Sequence, residues 1–67
     1  MKELKLALMY ASMARVIEVQ IGVEGMKAEN QERQYLGQAP AYPEAIFVRE
    51  AERVASEVAT LQQIARA

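Results

Sequence analysis

Two prolines and a glycine fall within the stretch Gly37-Gln38-Ala39-Pro40-Ala41-Tyr42-Pro43. Nothing else in the chain limits its fold as strongly. Proline lacks the amide proton a helix interior needs, and such clusters mark a break between elements. The break leaves a first segment of about 36 residues and a second of about 24, with no internal repeat between them.

The second segment reads as a helix over about residues 43–66. Pro43 suits a first helical turn, and Glu44 favours the positive end of the helix dipole. Phe47, Ala51, Val54, Val58, Leu61 and Ala65 recur at spacings of four and three, an apolar seam at helical period. Arg49, Glu52, Arg53, Ser56, Thr60 and Gln63 fall on the other side. Ala51, Ala55 and Ala59 make a row of small residues that lets another helix approach closely.

The first segment admits two readings. Leu6, Met9, Tyr10, Met13, Val16, Ile17 and Ile21 share one helical face, which Ala28 and Tyr35 extend. Glu29 and Arg33 have the spacing of a favourable ion pair on a helix. Against this, Ile17, Val19, Ile21 and Val23 alternate with Glu18, Gln20, Gly22 and Glu24, which is a strand pattern. Gly22 and Gly25 also weaken a helix. A helix over about residues 2–36 is preferred, because a lone strand has no partner within the chain. Val19, Val23 and Met26 then form a second apolar strip beside the first.

These elements predict an all-α fold, a two-helix antiparallel hairpin with a connector at 37–42. At 1.5 Å per residue the first helix is roughly 50 Å long and the second about 36 Å. Folded back, the second helix is expected to reach about as far as Met13, leaving Leu4, Leu6, Leu8, Met9 and Tyr10 as an uncovered overhang. The seam of the second helix is expected to pack on the face from Met13 to Tyr35. The overhang, with Val19, Val23 and Met26, is then the expected dimer or partner surface, and the simplest assembly is a four-helix homodimer. Tyr35, Tyr42 and Phe47 bracket the connector. They either contact a partner, as tyrosine does at binding hot spots, or cap the hairpin core.

Composition narrows the function. A 67-residue chain has a marginal core and needs a staple, unusually tight packing or a partner. It contains no cysteine, so disulfides and thiolate metal sites are excluded, and no histidine, the commonest general base and metal ligand. Ser12, Ser56 and Thr60 therefore lack an activating imidazole. Gly22-Val23-Glu24-Gly25 lacks the ending of a phosphate loop. Without histidine partners, Glu18, Glu24, Glu29, Glu32, Glu50, Glu52 and Glu57 read as solvated charge rather than a di-metal site. Glu24, in line with Ile17 and Ile21, is the exception that points to an interface. Met9, Met13 and Met26 read as core filling or as a repackable binding surface. No enzyme activity and no cofactor are expected.

Eight Lys and Arg against nine acidic residues give a net charge of −1, with no basic patch for nucleic acid. The apolar run at residues 4–13 is shorter than a bilayer span, and neither a membrane anchor nor a secretory leader is expected. A cytoplasmic location is expected.

Gly25-Met26-Lys27-Ala28-Glu29-Asn30, with Arg33, Gly37 and Ala41-Tyr42-Pro43-Glu44, resembles small uncharacterised helical proteins encoded by bacteriophages and prophages. The resemblance implies a cytoplasmic inhibitor that binds a host protein, such as a transcriptional regulator or a motor ATPase. It carries over no individual site residue. The expected role is thus a non-enzymatic protein-binding modulator. The alternatives are an assembly subunit of a larger particle and a small DNA-binding regulator.

Overall fold

A computed structural model of the chain describes residues 2–67. Among them are two helices and no strand, α1 at Lys2–Tyr35 and α2 at Glu44–Arg66. The alternating stretch at residues 17–23 is helical. It lies between good helix formers, and helix propagation adds one hydrogen bond for each residue ordered. Gly22 and Gly25 sit inside α1 without breaking it.

α1 ends in a Schellman turn. Gly37 takes φ of 75°, its amide bonds the Gln34 carbonyl at 3.1 Å, and the Gln38 amide bonds the Arg33 carbonyl at 2.7 Å. These bonds satisfy carbonyls that a helix end leaves bare, and glycine alone takes that φ without steric cost. Pro43 is the N-cap of α2 rather than its first helical residue; its extended ψ of 163° delivers the chain into the helix at Glu44.

The molecule is a rod, 54 × 17 × 9 Å, with a radius of gyration of 16.0 Å. A globular chain of this length would have a radius of about 11 Å. The two helices run antiparallel along the length of the rod. The residues of α1 that are not exposed are Lys5, Met9, Ser12, Val16, Val19, Val23, Met26, Asn30 and Arg33, spaced alternately four and three. On α2, Phe47, Glu50, Val54, Glu57, Leu61 and Ile64 follow the same alternation, with Ile46 beside them. This is the 3.5-residue repeat of a two-stranded coiled coil.

Both helices are therefore rolled away from the expected packing. The α1 face of Leu6, Tyr10, Met13, Ile17 and Ile21 points outward, and Val19, Val23 and Met26, expected to meet a partner, line the seam within the chain. On α2, Phe47, Val54 and Leu61 lie in the seam as expected. Glu50, Glu57 and Ile64 fill the places expected for Ala51, Val58 and Ala65. The physical reason is periodicity. Two helices touching along their whole length must present a 3.5-residue repeat to stay in contact. The outward strip runs four, three, four, four and winds around the helix instead.

The expected overhang is also corrected. α2 reaches the start of α1, where Ile64 and Ala67 line a cleft with Lys2, Leu4, Lys5 and Leu8. The connector accounts for the difference. It runs back beside α1, so that Tyr42 already lies against Asn30 before α2 begins. An extended chain advances about 3.3 Å per residue, more than twice the helical rise.

Candidate interaction surface

Polar groups mark three places along the hairpin, and at the first two they tie α1 to the rest of the chain. Ser12 is fully buried at the seam, and its hydroxyl donates toward Glu57, 3.0 Å from Oε2 and 3.2 Å from the backbone carbonyl. Arg15, one turn along α1, donates from Nε to the other Glu57 oxygen at 2.9 Å. The Arg15 guanidinium, and after it the Ser12 hydroxyl, hold the Glu57 carboxyl below its usual range. Asn30 makes the second cluster. Its side-chain amide donates to the Tyr42 carbonyl at 2.8 Å, and its carbonyl oxygen accepts the Tyr42 amide at 3.0 Å. At that end Glu29 raises the pKa of the Tyr42 phenol, by hydrogen bonding to the hydroxyl first and by its charge second. In the third, Glu50 lies in the seam and binds Arg53 at 3.0 Å.

The group facing the Ser12 hydroxyl is the ion-paired Glu57 carboxylate, and no group of three or more acidic residues among those described is placed to hold a metal ion. Glu24, expected near an interface, is largely exposed and pairs with Lys27 at 3.3 Å. The predicted Glu29–Arg33 pair forms at 3.8 Å.

The outer surface is two-sided. In an antiparallel pair, the residues just after one set of seam positions lie on one flank and those just before the other set lie on the opposite flank. Gln20, Lys27 and Ala51 border a cleft on one side of Val19 and Glu50, while Arg15, Gly22 and Arg53 border a cleft on the other. By the same repeat, Leu6 and Met13 of α1 share the first flank with Ala51 and Val58 of α2. Tyr10 and Ile17 stand next to them on α1, and Ala55 on α2. The opposite flank carries Arg15, Glu18, Arg53, Ser56 and Thr60. The first flank is thus apolar toward the open end, while Gln20, Glu24 and Lys27 continue it toward the connector; the opposite flank is mainly polar, with Leu8 the large apolar side chain that the same repeat places there.

The residues singled out from the sequence divide among several places. Leu4, Leu8 and Tyr10 are exposed, and Met9 is half-buried in the seam. Phe47 is half-buried at the closed end beside Lys27, Asn30 and Gln31, as a ring that caps the hairpin would be. Tyr42 is held by Asn30, whereas Tyr35 is 90% exposed. Sequence reasoning missed the structural weight of Ser12, Asn30 and Glu57. Ser12 stood out only as a hydroxyl with no imidazole to activate it. Its place in the four-three series with Met9, Val16 and Val19 was the available signal.

Among the described residues, α1 is long and apolar enough to cross a membrane by length and composition, counting beyond the run at residues 4–13. No family model matches the chain, and no curated protein or solved structure matches it.

Proposed function

We propose that this chain is a non-enzymatic protein-interaction module that works as a four-helix dimer of two hairpins. One observation carries the reading: the large apolar side chains lie outside. Val19 is the one buried apolar residue among those described, while Leu6, Tyr10, Met13, Ile17 and Ile21 are each 45–68% exposed. An apolar strip of that length marks a surface that meets another macromolecule. The resemblance to small phage-encoded helical proteins supplies the class of target, a bacterial regulatory protein that the dimer binds and inhibits. Tyr35 at the closed end is the group on the hairpin best placed for that contact.

The test is capture from bacterial lysate with a photo-crosslinking amino acid at position 35, followed by titration of the captured protein against the purified dimer. The expected result is one saturable partner, displaced by untagged chain and weakened about tenfold or more by Tyr35→Ala. Capture that untagged protein does not displace would refute the reading.

A second reading is favoured by the length and apolarity of α1, namely insertion into a bilayer. Flotation of the purified chain with neutral phosphatidylcholine vesicles tests it. Protein that stays at the bottom of the gradient rules it out.

A further inference from the structure

We infer that the occupant of the apolar flank is a second copy of this chain, docked two-fold so that α1 of each hairpin lies on α2 of the other. The inference rests on the dimeric reading above and identifies the face that makes the dimer.

Area is the first argument. The hairpin exposes 5396 Å², whereas a compact monomer of 7.5 kDa exposes about 4,200 Å². The excess, roughly 1,200 Å², exceeds the ~800 Å² per partner of a standard interface. One docking event of ordinary size would remove about two-thirds of that excess.

Shape is the second. The outward residues of α1 are large: Leu6, Tyr10, Met13 and Ile17. Those of α2 on the same flank are small or short: Ala51, Ala55 and Val58. A two-fold contact makes residue i meet j while j meets i, so the large α1 side chains of each copy seat over the small α2 residues of the other. The opposite flank, with Arg15, Glu18 and Arg53, offers no such match.

Charge is the third. Lys27, which borders the apolar flank, is paired with Glu24. A helix that lies on an anionic membrane carries free Lys and Arg along its polar border. The face needs a partner that is apolar and close to neutral, as its own copy is.

The experiment is light scattering on the size-exclusion peak, with circular dichroism on the same fractions, for wild type, Ile17→Ala, Ile17→Glu and the polar-side control Gln63→Glu. The expected result is a helical wild-type dimer. Ile17→Ala should raise its dissociation constant about tenfold, Ile17→Glu should give a helical monomer, and Gln63→Glu should stay within about twofold of wild type. Because the chain has no native cysteine, a nitroxide at Ala55→Cys gives an independent readout. It should be immobilised in wild-type background and freed by Ile17→Glu. A dimer indifferent to both Ile17 variants, with a mobile label at 55, overturns this face while leaving self-association intact. A wild-type monomer overturns the dimer itself, and one that also floats with vesicles assigns the face to a membrane. Open-ended oligomers overturn the two-fold arrangement.

Discussion

Ser12 and Asn30 show how single polar side chains can hold a thin hairpin in register. A coiled-coil seam of Val, Met and Leu tolerates sliding, because apolar contacts are not directional. A buried polar group that finds its partner in one register only does not. Asn30 closes two hydrogen bonds to the Tyr42 backbone, so Asn30→Ala is expected to cost about 1–3 kcal/mol, measured as a shift in urea midpoint at constant slope. An unchanged midpoint would show that the connector is held by other contacts. Glu57 predicts a pH dependence. Its folded pKa is lowered by Arg15 and Ser12, so its contribution is fully present above the ordinary Glu range. That contribution is lost as pH falls from about 4.3 through the lowered folded value. Denaturation midpoints measured from pH 7 down to pH 3 should decline in wild type and decline less in Glu57→Gln. Parallel curves would assign the acid sensitivity to other carboxylates.

At the level of the element, α1 carries two interior glycines that nothing in the hairpin requires. A Cβ at Gly22 or Gly25 would meet no atom within 4 Å. Gly22→Ala and Gly25→Ala are therefore expected to stabilise the hairpin by about 0.5–1 kcal/mol each. Gly37 is the opposite case. Its φ of 75° closes the Schellman turn, so Gly37→Ala is expected to destabilise by about 1 kcal/mol although the space around it is equally open. Thermal melts of the three variants separate the effects. A loss of stability in Gly22→Ala would mean that a partner approaches the polar flank at that point.

The whole molecule is a rod one helix pair thick, with little interior. Its seam alone resembles the small cores that usually need a staple or a second subunit. If stability resides in the four-helix dimer, the melting temperature depends on concentration, rising by several degrees for roughly each tenfold increase. A melting temperature constant from 1 to 100 µM (about two decades) would show that one hairpin is sufficient. The same geometry explains the division of the surface. Rolling both helices onto a 3.5-residue seam moves the bulkiest side chains of α1 outward and gathers them with the alanines of α2 on one flank.

Much of the fold was legible in the residues themselves. The break at 37–43, the two helices, the Glu29–Arg33 pair and the antiparallel return all follow from proline chemistry, helical spacing and segment length. The helical state of residues 17–23 was decided by their neighbours, since Ile17, Val19, Ile21 and Val23 fit either period. Tertiary structure alone decided which face of each helix turns inward. Counting large apolar residues selected Leu6, Met9, Tyr10, Met13, Val16, Ile17 and Ile21, because burial of a single helix rewards bulk; of these only Met9 and Val16 turn inward. A pair of helices in contact along its whole length rewards period instead, and only the series through Met9, Ser12, Val16, Val19 and Val23 keeps the repeat that both helices share. The reach of α2 was hidden for a related reason. It depends on an extended connector pinned by Asn30 to Tyr42, a contact across twelve residues that no local pattern announces.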